Sequence, residues 1–151
     1  MQLKPRGQVM TPRWRVVLTG VMLAAAAASA SEFKVIVNTA NPKTSITAEE
    51  LSELFLRKTL TWPNGKAVVP TDLSPDSPVR ASFSMAVHER DVPAIKSYWQ
   101  RQIFSGRAVP PVEHTSEEDL VSFVASTPGA VGYVAPSTEL TSRVKVLEVE
   151  D

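Results

Sequence analysis

Residues Ala67-Val68-Val69-Pro70-Thr71-Asp72-Leu73-Ser74-Pro75-Asp76-Ser77-Pro78-Val79-Arg80 decide how this chain is built. Ala67 to Pro70 reads as a short strand. Ser77 followed by Pro78 is a helix start: the hydroxyl caps a free backbone N–H, and proline at the first helical position lacks a donor that would go unpaired anyway. That helix is predicted to run to about Glu89, with Val79, Phe83, Ala86 and Val87 on one face. A strand feeding directly into a helix is the building step of layered α/β proteins.

The same alternation extends in both directions. Phe33-Lys34-Val35-Ile36-Val37-Asn38 is rich in β-branched residues and reads as a central strand. Thr47-Ala48-Glu49-Glu50 fits a capping box opening a helix to about Arg57, with Leu51, Leu54 and Phe55 as its buried stripe. Trp62-Pro63-Asn64-Gly65-Lys66 is a turn. A further helix is predicted over Val92 to Phe104, burying Ile95, Tyr98, Trp99 and Ile103. Ser105 to Glu113 holds a glycine and two prolines and is not helical throughout. Thr115-Ser116-Glu117-Glu118 opens another helix that ends before Pro128-Gly129. Ala130 to Val134 and Val144 to Val149 read as the last strands. The expected fold is α/β, a mixed β-sheet flanked by helices.

Charge divides the 151 residues unequally. The first 30 carry Lys4, Arg6, Arg13 and Arg15 and no acid; the rest holds 12 basic and 16 acidic side chains. A basic start, the apolar run Val16 to Ala28 and the small residues Ala28-Ser29-Ala30 have the three parts of a secretory signal peptide. The run would span about 20 Å as a helix, short of a bilayer core of about 30 Å. Residues 1–30 are therefore expected to direct export, with an uncleaved anchor as the rival, and 31–151 to form one domain. An acidic domain excludes a broadly basic nucleic-acid binder. With no cysteine, the chain has no disulfide framework, thiolate metal site, lipoprotein anchor or cysteine nucleophile.

The candidate chemistry lies in the loop that enters the Ser77 helix. A helix start presents unpaired N–H groups and the positive end of the helix dipole, which together favour an oxyanion. Ser74 and Ser77 add hydroxyl donors and Arg80 adds charge. Asp76 can accept a hydrogen bond from a protonated oxyanion and repels a fully ionised one. Equally, Ser77 can be no more than the cap of its own helix, and Arg80 a solvated side chain. Asp72 and Asp76 are the one conceivable acid–base pair, although such loop residues are commonly turn formers. His88 sits late in a helix, where an imidazolium would suit the negative end of the dipole. No zinc or hydrolase motif occurs, so neither a metal nor a cofactor is expected, and the chain is read as no enzyme.

Three blocks, in order, resemble the periplasmic phosphate-binding proteins of ABC transporters. Thr47 to Lys58, ending at Trp62-Pro63-Asn64-Gly65, looks like that family's helix and following glycine turn. Ser74 to Phe83 stands at the place of its Asp-Gly-Ser-Gly-Thr loop, and Pro128-Gly129-Ala130-Val131-Gly132-Tyr133-Val134 is similar to its PGAIGYV strand. The resemblance implies a periplasmic binding protein type II-like single lobe, the later of the two that close over an anion. Aligned on Phe83, Ser77 keeps the family's serine and Arg80 matches a frequent arginine, whereas Pro78 and Val79 replace a glycine and a threonine.

The implied function is an exported, periplasmic solute-binding module for phosphate or a similar oxyanion, partnered by an ABC transporter permease. Half a site without a lid should bind at about millimolar strength, about −4 kcal/mol. A homodimer with two copies facing each other would restore a cleft. The alternative is a cell-envelope protein-interaction or scaffold module that kept the fold and lost the anion. Its mark would be an exposed apolar patch. Convergence of Arg107 or Lys58 on the Ser74–Arg80 loop would favour the oxyanion.

Overall fold

Thr47 shows how local chemistry sets an element boundary. Its hydroxyl accepts from the Glu50 N–H, and the Glu50 carboxylate accepts from the Thr47 N–H, so the reciprocal cap is formed. Such a cap contributes about 1 kcal/mol. The computed structural model describes residues 32–151 and, before them, Gly7 alone. The leader expected at residues 1–30 otherwise lies outside the described residues.

Among the described residues, six strands and four α-helices follow in the order β1 (Lys34–Asn38), β2 (Ser45–Thr47), α1 (Ala48–Phe55), β3 (Val69–Leu73), α2 (Pro78–Phe83), α3 (Val92–Phe104), β4 (Val112–His114), α4 (Glu117–Ser126), β5 (Ala130–Val134) and β6 (Val144–Glu150). The sheet order is β2-β6-β1-β5-β3-β4. Strand β1 is antiparallel to both its neighbours, while β3 is parallel to β4 and β5, and β2 to β6. The mixed sheet and the central place of β1 agree with the sequence reading. Burial on both faces accounts for the apolar runs of β1 and β5.

Several details differ from expectation. The short strands β2 and β4 were not foreseen, and β3 lies at Val69–Leu73 rather than 67–70. Helix α1 stops at Phe55 because Arg57 turns left-handed (φ 60°), sending its N–H to Leu54 and that of Lys58 to Glu53. After α2, Ser84–His88 forms a π-helical turn, which leaves Met85 and Ala86 exposed while Val87 stays buried. Ile103 is exposed, not buried as the periodicity suggested.

The core gathers Phe33, Phe55, Phe83 and Tyr133, with the Phe83 and Tyr133 rings stacked at 3.9 Å. Both glycines of the Pro128–Val134 block are required by close packing. A Cβ on Gly129 would stand 2.0 Å from the Ala67 carbonyl oxygen, and one on Gly132 would stand 2.7 Å from Leu120 Cδ2. Trp62 donates its indole N–H to the Gly129 carbonyl at 2.9 Å, which joins the glycine turn to this strand. The smaller cluster Leu56, Ile95 and Trp99 seats α3 against the end of α1.

Candidate functional site

Strands β3, β4 and β5 point the same way, so the segments leaving them emerge on one side of the sheet. Outside their carboxyl ends lies a cleft of about 860 Å³. Open α/β sheets commonly place ligand sites there. Leu73 ends β3 and Ser74 and Ser77 follow it, Thr115 to Glu118 follow β4, and Thr138 to Thr141 follow β5. With Ser122 included, seven serine and threonine residues line the cleft.

The capping serines have defined tasks. The Ser77 hydroxyl accepts from the Arg80 N–H at 3.4 Å, and Ser116 accepts from the Asp119 N–H at 3.1 Å. Each hydroxyl keeps its own hydrogen free to donate outward. Glu117 accepts from the Ala135 N–H and from the Thr138 hydroxyl, which fastens α4 to the segment after β5. Glu118 and Glu139 also line the cleft, and no lysine or arginine is among its described lining residues.

Arg80 is buried, at 6% exposure, rather than solvated. Its guanidinium donates to the Leu73 carbonyl and to the Glu113 carboxylate, each at 2.8 Å, and stands 3.8 Å from Asp72. Burial opposes its charge, but Asp72 and Glu113 more than offset that and raise its pKa. For Asp72 it is burial that raises the pKa, only partly offset by Arg80 and by the Tyr133 hydroxyl, which donates to it at 2.5 Å. The pKa of Tyr133 is raised too, by burial first and then by the neighbouring Asp72.

Of the four candidate residues, Ser74 and Ser77 reach the cleft, Asp76 is exposed outside its lining, and Arg80 lies behind Leu73. Asp72 is buried against Arg80 and Tyr133, whereas Asp76 is exposed. Lys34, on β1, fastens the segment after β5 by donating to the carbonyls of Pro136 and Thr138. Arg107 and Lys58 line two other hollows. Sequence reading missed Thr115, Ser116 and Thr138 as cleft residues. The helix-start argument applied to Ser77 would have found Ser116, which begins a longer helix.

His88 does not serve as an imidazolium. Burial, with Arg90, Arg80 and Lys58 nearby, lowers its pKa to about 4. The Ser52 hydroxyl lies 2.7 Å from Nδ1, within hydrogen-bond distance of a neutral ring. Among the described residues no group of three or more His, Cys, Asp or Glu could hold a metal ion, and no helix is long and apolar enough to cross a membrane.

No protein-family model matches the sequence, and comparison with curated proteins finds no match. Solved structures do match. An ABC-type phosphate transport receptor from Vibrio cholerae aligns at TM-score 0.62 and 17% identity, over 78% of this chain and 46% of the receptor. A Clostridium perfringens protein, assigned as a phosphate ABC transporter substrate-binding protein and solved with bound phosphate, gives 0.63 and 17%, over 78% and 44%. PstS from Borrelia burgdorferi gives 0.55 and 15%, over 78% and 47%. The chain thus has the α/β fold of one part of these receptors and spans less than half of their length.

Proposed function

We propose that this chain is an exported, periplasmic solute-binding module that takes phosphate or a similar small oxyanion, without catalysis, in association with an ABC-type transporter. The observation that carries this reading is the hydroxyl-lined cleft beyond the carboxyl ends of β3, β4 and β5, in a fold shared with phosphate receptors. Ser74 and Ser77 are the proposed donors, with Arg80 adding its field from behind Leu73 and Asp76 at the outer margin. Carboxylates facing the cleft favour a protonated oxyanion, which can donate to them, over one with no proton to give. A homodimer closing cleft against cleft would supply a second wall.

Calorimetric titration with phosphate and sulfate tests the reading. Phosphate should bind at about millimolar strength, more tightly than sulfate, and Ser77→Ala should weaken it. Absence of heat with either anion, or equal binding by the variant, would refute it.

One observation favours a second reading, an envelope protein-interaction or scaffold module. Arg80 is already satisfied by Leu73, Glu113 and Asp72, and no lysine or arginine is among the described residues lining the cleft. Under that reading neither anion binds, and a defined envelope protein co-purifies with the wild type and with Ser77→Ala alike.

A further inference from the structure

The large apolar side chains exposed among the described residues fall, apart from Val112 on β4, into two groups of opposite charge character. The first surrounds the end of α3: Leu60, Ile103, Phe104 and Val109, with Phe104 exposed to 94%. Arg57 and Arg107 line a shallow hollow beside Ile103, and Arg101 is exposed one turn earlier on the helix. The stretches 54–71 and 92–112 contain six lysines and arginines and no acid, within a domain that is acidic as a whole. The second group is Met85, Val146 and Val149, in a hollow of about 830 Å³ that also exposes Glu32, Glu148 and Asp151. Lys34 is the one lysine or arginine among its described lining residues, against these three carboxylates, and its ammonium is held at the Pro136 and Thr138 carbonyls.

The first group is a knob held in place by the backbone. Helix α3 ends with Gly106 left-handed (φ 64°), its N–H bonded to Ile103 and that of Arg107 to Gln102. This helix ending fixes the direction in which the chain leaves and keeps Phe104 in the last turn. Arg57 takes a left-handed conformation that glycine would adopt with less strain. The second group is a concavity with apolar walls from Phe33, Val87 and Val146. One surface offers a projecting aromatic ring among cations, the other an apolar recess among carboxylates.

We propose that copies of this chain associate head to tail, Phe104 of one copy entering the recess beside Met85 and Val149 of the next. Joining the knob of each copy to the recess of the next makes a heterologous contact, which closes into a ring or continues as an open chain. Aromatic anchors in apolar pockets dominate such contacts, and the charged rims set partner and orientation. This association does not use the Ser74 cleft and stands apart from the oxyanion reading.

Sedimentation velocity of the full chain, over a wide concentration range at low and physiological salt, tests the proposal. The sedimentation coefficient should rise with concentration, more steeply at low salt. Phe104→Asp should weaken association by about tenfold or more. Arg107→Glu and Glu148→Arg should each weaken it, and an equimolar mixture of those two variants should recover it. Phe104, Arg107 and Glu148 are exposed, and circular dichroism will verify that each variant is folded. A chain that stays monomeric throughout overturns the proposal, even if it binds anionic vesicles or an acidic peptide. So does association indifferent to all three substitutions, or a mixture no better than either variant alone.

Discussion

The Tyr133 hydroxyl donates to the Asp72 carboxylate at 2.5 Å and accepts from the Leu73 N–H at 3.3 Å, so one phenol ties β5 to the last two residues of β3. Arg80 meets the same strand end through the Leu73 carbonyl. Beneath the cleft floor is a charged network in the protein interior, and its stability consequences can be measured.

Removing the cation should be costly. Arg80→Ala leaves Asp72 buried beside Tyr133 without its compensating charge and should cost about 3–5 kcal/mol. The Asp72 carboxyl holds its proton to higher pH than an unfolded aspartate, because burial disfavours its charge. Its contribution to stability is therefore complete below the unfolded value near pH 4 and is lost as pH rises through the folded value. Denaturant unfolding across pH should show this decline in the wild type and a flatter profile in Asp72→Asn.

His88 acts in the other direction. Its pKa falls from 6.5 to about 4 on folding, so stability is present above 6.5 and is lost as pH drops toward 4. The loss should be of the order of 3 kcal/mol at most. Unfolding of His88→Asn should show a weaker acid dependence over that interval, since asparagine can still hydrogen-bond Ser52 but gains no proton.

The two strand glycines should fail to different degrees. Gly132→Ala presses on the flexible Leu120 side chain and on the Thr71 methyl, and should cost about 1–3 kcal/mol. Gly129→Ala meets a backbone carbonyl, which cannot rotate away, and should cost more. Loss of the hydrogen bond from Trp62 should accompany it, visible as a shift in tryptophan emission.

If the cleft takes an oxyanion, its carboxylates limit affinity. Glu118→Gln removes an exposed charge at the first turn of α4 and should strengthen phosphate binding a few-fold. Calorimetry at rising salt should show the advantage shrinking as screening grows.

Much of this architecture is legible from local chemistry alone. Helix α3 begins after its Asp91 cap and ends at Phe104 as its pattern predicts, and β5 occupies the whole Ala130–Val134 run. What escaped depends on residues distant in the chain. Ser45–Thr47 is a strand only because β6 lies beside it, and Thr47 shows its capping role more strongly in sequence than its pairing role. Val112–His114 follows two prolines and gains its ladder from β3. Arg80 reads as a solvated or ligand-facing side chain until Glu113, 33 positions later, is brought against it. Ser74 and Ser77 could be found from the helix start, whereas Thr138 joins them only through the path taken after β5.

The sheet has a bearing on how copies of this chain can meet. Both of its outer strands, β2 and β4, are three residues long. Short borders give another backbone few hydrogen-bonding groups to extend. Growth of the sheet from molecule to molecule, the route by which many β-rich chains clump irreversibly, has little purchase here. Contact between copies is left to side chains, whose strength salt and single substitutions can adjust.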